Sequence, residues 1–344
     1  MLDQALLDQY KANHEIARLR FAKNPAMCYQ KHIRDLYEEL EGKHPPCTAE
    51  CYKVEVNPET GHKKYGSCPH LEGYTIREIT RDEAESIILK YEWLQSMGHG
   101  VSACFGLFSP EGELMGANAL GRMGGQIGDV CGPMYAEKTA CLQRGVCVPH
   151  APKNAGTFFT RATCKLAREK YGWVIFFAYS DTHNASEVGT LYQSLNWYYI
   201  GEDVGRSKDG RGYHSNYHPP NGCVVGRSGK KYDKPIKSYK LNHDPQRKFM
   251  RDLGWTSMEA DGAMRTWLRS HGWIEEKDYG KKKWLWFEGT PSERRALKAM
   301  CRYTDKTTGQ LGRPYPKNRA ERKDTARGRK AKEVEMAPLA SSVG

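Results

Sequence analysis

Apolar residues recur near helical spacing through the first forty positions: Leu2, Leu6 and Tyr10, then Ile16, Leu19, Ile33, Leu36 and Leu40. The pattern predicts one or two amphipathic helices over residues 2–40. From 42 to 71 the period stops, and stretches such as His44-Pro45-Pro46-Cys47 and Cys68-Pro69-His70 predict neither helix nor strand. Alternation over 74–79 predicts a strand, and Thr80 followed by Glu83 is the capping-box start of a helix running to about residue 95. Two strand-like runs, 101–108 and 113–120, flank Ser109-Pro110-Glu111-Gly112, which predicts a short hairpin. A further strand is expected over 141–148 and a helix over 157–171. Residues 173–179 form the most apolar strand, whose unbroken run predicts burial on both faces. A short helix over 187–195 and a strand over 197–200 follow.

Residues 201–244 are rich in Gly, Lys, Arg, His and Tyr and read as a long basic loop or insertion outside the core. Two short helices (244–254 and 258–271), a last strand (283–287) and a helix (292–302) are expected next. After Pro316 come Lys317, Arg319, Arg322, Lys323, Arg327, Arg329, Lys330 and Lys332 with few apolar residues, a composition that predicts a disordered basic tail over 317–344. The expected organisation is a helical lead with a Cys/His-rich metal module over 1–72, and a catalytic domain over 73–316 carrying a basic insertion at about 201–281. No internal repeat is visible.

Length and charge narrow the class. With 344 residues, 39% of them hydrophobic, the chain can bury a full core. No apolar run approaches the roughly 20 residues of a membrane helix, and no signal-peptide order opens the chain, so a soluble intracellular protein is expected. Eleven cysteines, several within apolar periodic segments, argue against a disulfide framework. The formal charge of +12 favours a polyanionic partner, nucleic acid first and a membrane surface second. Arg206, Lys208, Arg211, Lys230, Lys231 and Lys237, with the tail, are the candidate phosphate contacts, although such runs are solvated surface by default.

The Cys47-x3-Cys51 pair followed by Cys68-x-His70 offers four soft ligands in a segment without a core, the pattern of a closed structural zinc site. Cys28, His32 and His44 are further candidates, and reduced loop cysteines are the plain alternative.

The β, α, β, β, β, α, β, α, β order over 74–200 resembles the GNAT acyltransferase superfamily. That resemblance implies an α+β fold, a GNAT-like mixed central sheet flanked by helices. It also implies a loop and helix start that hold the pyrophosphate of an acyl-CoA-like donor. The matching loop is Pro149-His150-Ala151-Pro152-Lys153-Asn154-Ala155-Gly156. It lacks the usual Q/R-x-x-G-x-G/A, leaving Lys153, Asn154, Gly156 and Thr157 as the candidate anion site. Residues 184–197 resemble the superfamily's N-x-x-A-x-x-L-Y-x-x-L-G-F motif, which places Tyr192 where a general acid often stands. By default Tyr192 is an ordinary half-buried aromatic.

A closer resemblance, over about 74–317, is to the Mom family of phage DNA-modification proteins. It is carried by Cys141-Leu-Gln-Arg144-Gly-Val-Cys-Val148, Pro152-Lys153-Asn154-x-Gly156, Tyr179-Ser180-Asp181, Leu191-Tyr192-Gln193-x-x-Asn196-Trp197 with Gly201, Lys283-Trp-Leu-Trp-Phe287 and Pro314-Tyr315-Pro316-Lys317. The resemblance implies an enzyme that adds a carbamoylmethyl or acetamido-type group to the exocyclic N6 of adenine in DNA. Such an enzyme protects phage DNA from restriction in the cytoplasm of the host bacterium. The N6 lone pair is delocalised into the purine, so a group that accepts its proton helps. Asp181 is the expected base or metal ligand, with a loop cap as its default role. His183 could assist it. Arg144 would grip a phosphate or pair with Asp181.

A target base stacked in a duplex must be flipped or met unpaired, and Trp93, Trp197, Tyr198 and Tyr199 are candidates to sandwich it. Carbon addition to N6 is not simple acyl transfer, so the donor need not be acetyl-CoA, and a redox-active iron is a second cofactor candidate. Two rivals remain at this level. One is an acyl-CoA-dependent N-acetyltransferase of a protein or small-molecule amine, and the other a non-catalytic DNA-binding protein on a GNAT scaffold.

Overall fold

The computed structural model describes residues 3–47, 54–56, 63–65, 68–98, 100–122, 130–202, 214–237, 244–256, 261–278 and 281–316. The elements begin with α1 (Gln4–Lys23), α2 (Tyr29–Glu41), β1 (Val54–Val56), β2 (Lys63–Tyr65), β3 (Thr75–Ile79), α3 (Arg81–Tyr91), β4 (Val101–Phe108) and β5 (Leu114–Arg122). Next come β6 (Thr139–Cys147), α4 (Ala155–Tyr171), β7 (Ile175–Ser180), α5 (Thr182–Ala185), α6 (Thr190–Ser194) and β8 (Tyr198–Glu202). The chain continues through β9 (His214–His218), β10 (Val224–Val225), β11 (Lys231–Tyr232), β12 (Ile236–Lys237), α7 (Asp244–Asp252), α8 (Asp261–Ser270) and β13 (Ile274–Asp278). It closes with β14 (Lys282–Phe287) and α9 (Pro291–Met300). These fall into two compact units, one within residues 1–201 and 282–344, the other within 202–281.

In the first unit seven strands form one mixed sheet, in the order β3-β4-β5-β6-β7-β14-β8. Strands β3 to β6 are antiparallel neighbours, β6 and β7 are parallel, and β14 runs antiparallel to β7. The last strand in sequence thus inserts between β7 and β8. Helices α3 and α4 pack on β5 and β6, giving the expected α+β arrangement of a mixed central sheet flanked by helices.

The local signals act as their chemistry requires. Thr80 Oγ1 accepts from the Glu83 amide at 3.2 Å, and Glu83 Oε2 accepts from the Thr80 amide at 2.7 Å, closing the capping box that starts α3. The β4–β5 turn is held by Ser109 Oγ, which accepts from the amides of Glu111 and Glu113. Gly112 there takes φ +85°, a value that favours glycine.

Burial on both faces of β7 is realised. Phe176 and Ala178 join one apolar cluster with Trp284 and Phe159, while Ile175 and Phe177 join another with Leu285, Phe287 and Leu297 of α9. The period of two on β7 and β14 sorts side chains between these clusters.

Three expectations are corrected. First, α1 and α2 share the sheet's own core: Ala17, Phe21, Ile33, Leu36 and Tyr37 lie in one cluster with Ala84 and Ile88 of α3. His14 Nε2 donates to the Lys90 carbonyl at 2.8 Å, and Gln30 Nε2 to that of Tyr91 at 2.6 Å. Up to Glu41 the lead is therefore part of the sheet-bearing unit. The patternless stretch after it contains the antiparallel pair β1–β2. Second, the helix expected over 187–195 is shorter, α6 at Thr190–Ser194, because Gly189 (φ +75°) turns the chain left-handed just before it. A further short helix, α5 at Thr182–Ala185, precedes it and ends at Ser186 (φ +52°).

Third, residues 201–244 are not a coreless loop. Strands β12, β9 and β13 form a sheet, and Tyr217, Ile236, Met250, Trp255, Met264, Leu268 and Trp273 form a core. The loop reading failed because β9 to β12 are short and interrupted by Gly and Pro, so no window carries a full period. Residues 317–344, expected to be a tail, lie outside the described residues. Among the described residues no helix is long and apolar enough to cross a membrane.

Candidate active site

Strands β6 and β7 pair only at Thr139–Leu142 with Ile175–Ala178, although β6 continues to Cys147 and β7 to Ser180. Beyond Leu142 the two parallel strands part, and the β6 backbone groups that face away from β5 lose their strand partner. A bulge marks the place: Arg144 pairs with Ala119 and Leu142 with Leu120, which leaves Gln143 as the extra residue. Bulges of this kind re-aim side chains at sites where pairing ends. The Gln143 carboxamide lies between Gly98 and Gly121, where a Cβ on either glycine would collide with it.

Arg144 does not pair with Asp181. Its Nε donates to the Ser96 carbonyl at 2.6 Å, one terminal nitrogen to the Gln143 carbonyl at 2.5 Å and the other to Ser96 Oγ at 3.0 Å. Buried Glu92 lies 3.8 Å from it. The guanidinium fork ties the chain just after α3 to the bulge, a positioning role suited to its fixed geometry.

Asp181 is buried at the end of β7 and caps α5. Its Oδ1 accepts from the Asn184 amide at 2.7 Å, and its Oδ2 from Asn184 Nδ2 at 2.9 Å. Its carbonyl also accepts from the amides of Ala185 and Glu187. The carboxylate thus organises the loop after β7, and Ser186 Oγ fastens that loop to the Pro25 carbonyl at 2.9 Å. The side chain of His183 lies outside the described residues.

Tyr192 is half-buried on α6, its ring 5.2 Å from Trp197 and 5.7 Å from Trp284 between centroids. Among the described residues its hydroxyl has no hydrogen-bond partner. Burial, reinforced by the Glu187 carboxylate, raises its pKa well above the ordinary phenol value, so at neutral pH it is a hydrogen-bond donor. As an acid it suits only a strongly basic leaving atom.

The expected base-sandwiching set is not assembled. Trp197 and Tyr199 are buried in the core, Tyr198 packs on Phe287 and Trp93 on Tyr29. Strand β14 supplies two further residues. Trp284 donates to Ser180 Oγ at 2.9 Å. Buried Lys282 stands opposite Ser180 in the register, 5.7 Å from the Tyr199 ring centre. A lysine at the edge of an apolar strand reads as surface, and only the pairing with β7 places it inside.

The loop before α4 has exposed Lys153 and Asn154, Asn154 adopting φ +64° at the helix start. Two of its amides are occupied, that of Lys153 by Cys47 Sγ at 3.3 Å and that of Ala155 by the Pro152 carbonyl at 3.0 Å. Anion-binding capacity therefore rests on the first-turn amides of Gly156 and Thr157, the helix dipole and the Lys153 ammonium. These residues fit an anionic end of a donor, with fewer amides than a glycine-rich pyrophosphate loop offers.

In the Cys/His cluster, Cys47 Sγ and buried Cys68 Sγ lie 3.5 Å apart, while His70 is exposed and Cys51 lies outside the described residues. Among the described residues no three candidate ligands converge on a metal-sized point. Of the expected phosphate contacts, Lys230 and Lys231 are exposed in the second unit. Arg206, Lys208 and Arg211 are outside the described residues, as is the side chain of Lys237.

A family model described as the Mom protein family matches residues 73–249, from the strand that opens the sheet into the second unit. The chain belongs to the Mom family. The match includes the bulge of β6, the loop before α4, Asp181 and Tyr192, while Lys282 and Trp284 of β14 lie beyond it.

Solved structures with similarity to this Mom chain include the ribosomal-protein-S5-alanine acetyltransferase of Vibrio fischeri (10% identity, TM-score 0.29, 39% of this chain and 85% of that one). Nourseothricin acetyltransferase (14%, 0.26, 40% and 93%) and the spermidine N-acetyltransferase of Vibrio cholerae (12%, 0.29, 50% and 98%) are others. No curated protein matches the sequence.

Proposed function

We propose that this chain is a DNA-modification enzyme that places a carbon substituent on the exocyclic N6 of adenine, of the carbamoylmethyl or acetamido type, and so shields phage DNA from restriction. The observation that supports this reading is the Mom family match over 73–249, a span that contains the parting of β6 from β7 and also Arg144, Asp181 and Tyr192. A new N–C bond forms at N6, the bond from that carbon to its leaving group breaks, and one N6 proton departs. When bound, an acyl-CoA-like donor supplies an activated carbonyl carbon and leads to an N6-acyl product, whereas a carbamoylmethyl product takes its carbon from a donor activated at a methylene. Gly156, Thr157 and Lys153 hold the donor's anionic end, and the Tyr192 hydroxyl donates a hydrogen bond in the opening. Asp181 and Arg144 keep the walls of that opening in place. The adenine enters flipped from the duplex or from an unpaired strand.

Mass spectrometry of nucleosides from DNA of cells expressing the chain tests the reading. A new adenosine derivative is expected, reduced about 100-fold or more in Tyr192→Phe if the hydroxyl acts in proton transfer. Folded, DNA-binding protein that leaves adenosine unchanged overturns it in favour of a non-catalytic scaffold. An adduct on a protein or small-molecule amine in place of DNA overturns it in favour of an N-acetyltransferase.

A further inference from the structure

The second unit carries a feature that the transferase chemistry does not use. Strands β10 and β11 form a hairpin, Val224 opposite Tyr232 and Val225 opposite Lys231, whose tip is Gly226-Arg227-Ser228-Gly229-Lys230. Arg227, Lys230, Lys231 and Lys234 are all exposed, with Asp233 the one acid among residues 227–234. Among the described residues none of these four cations makes an ion pair, although Arg269 of the same unit does, with Glu275 at 2.7 Å.

The tip is also held. Asp252, at the end of α7, accepts from the Ser228 amide at 2.6 Å, from Ser228 Oγ at 2.7 Å and from the Tyr232 hydroxyl. Its carbonyl accepts from the Arg227 amide at 2.7 Å. Gly226 passes so close to this carboxylate that a Cβ would strike it, and Gly229 turns the tip at φ +74°. A surface carboxylate among lysines ordinarily pairs with one of them. Here its oxygens are directed to the backbone and hydroxyls of the hairpin, which fixes the tip and leaves the cations without an ion pair among the described residues, Lys230 lying 5.6 Å from the Tyr232 ring centre.

We propose that this hairpin is a rigid, sequence-independent grip on the phosphate backbone of duplex DNA, with Arg227, Lys230 and Lys231 as the phosphate contacts and Asp252 as the residue that sets its shape. The inference rests on the DNA-modification reading and extends it to a separate element. Unpaired cations need no partner displaced, and a fixed tip loses little conformational freedom on binding. Ser228, the hydroxyl at the tip, is engaged with Asp252, which leaves the cationic side chains to meet the DNA, and their charge is matched by the phosphates.

The test is the affinity of the full chain for a labelled duplex of unrelated sequence, followed by fluorescence anisotropy across a salt series. Arg227→Ala/Lys230→Ala/Lys231→Ala, confined to exposed positions, is expected to lower the slope of log K against log salt by about 2–3, near 0.9 per phosphate contact. Asp252→Ala adds one unit of positive charge, yet is expected to weaken binding about threefold to tenfold by releasing the tip. An unchanged slope in the triple variant, with wild type binding DNA, overturns the hairpin proposal and leaves the DNA reading standing. A reduced slope with Asp252→Ala binding as tightly as wild type overturns the rigid grip. Wild type that does not bind duplex at all overturns this proposal, and wild type that binds neither duplex nor single-stranded DNA removes the DNA reading with it.

Discussion

Asp181 carries most of the difference between a residue read from its type and one read from its contacts. A carboxylate at the end of the most buried strand suggests a base, yet both of its oxygens are engaged by Asn184. A general base must have a lone pair within reach of the proton it takes, and a cap of this kind is worth about 1 kcal/mol to the structure it starts. Substitution separates the roles. Asp181→Asn retains an acceptor for the Asn184 amide and Asp181→Ala retains none. A loop-holding role predicts activity and melting temperature falling together, with Asn between wild type and Ala. A base role predicts both variants equally inactive with Asn near wild-type stability. Nucleoside yield beside thermal melts of the same preparations decides between them. Arg144 makes the same point: its type suggests a phosphate grip or an Asp181 partner, but Ser96 and Glu92 are brought to it by the way α3 ends beside the bulge of β6.

At the scale of elements, signals within a few residues were legible and breaks were not. The Thr80–Glu83 box, the 109–112 turn and the alternation over 74–79 involve neighbours in sequence, so propensity and hydrogen-bonding type suffice to read them. The break before α6 carries no such signal, because Val188, Leu191, Tyr192 and Leu195 keep a helical spacing across it. What imposes the break is Gly189, whose left-handed backbone lies directly against the buried Trp284 indole. Gly189→Ala adds a methyl at positive φ and against a ring that cannot move, each costing roughly 1–3 kcal/mol. Denaturant melts of the full chain are expected to show a loss of about 2–6 kcal/mol, with Tyr192 displaced and nucleoside modification reduced.

For the whole molecule, buried titratable groups set a stability window with pH. His14 is buried with its Nε2 on the Lys90 carbonyl and, among the described residues, its Nδ1 without a partner. Desolvation lowers its pKa despite that hydrogen bond. A base whose folded pKa lies below its unfolded value of about 6.5 contributes stability that is complete above that pH and lost as pH falls below it. Tyr37, packed between α1 and α3, has its phenol pushed up to about 12 by burial, and Tyr91 is raised by burial and by Glu41. Such phenols contribute stability that is complete below about pH 10 and lost as pH rises toward 12. Urea titrations from pH 5 to 11 are expected to give a plateau between about 6.5 and 10. Protection of the α1–α2 amides from hydrogen exchange should fall first on the acid side. A midpoint that is flat across both ends would contradict the packing of the lead into the core.

Residue order alone determined the sheet-and-helix plan over 74–200, the capped start of α3, the turn between β4 and β5, and the family resemblance. Each is written in periods, short hydrogen-bonding motifs or ordered motifs along the chain, and none needs a distant partner. Tertiary structure alone decided that α1 and α2 belong to the sheet's core, that β14 inserts between β7 and β8 and buries Lys282, that Asp181 faces Asn184 rather than Arg144, and that residues 202–281 enclose a core of their own. In each of these the deciding contact joins groups that share no local pattern, or competes with another of similar chemistry. Its outcome follows from which surfaces can be buried together and which polar groups must then find partners, a condition that exists only once the chain is packed.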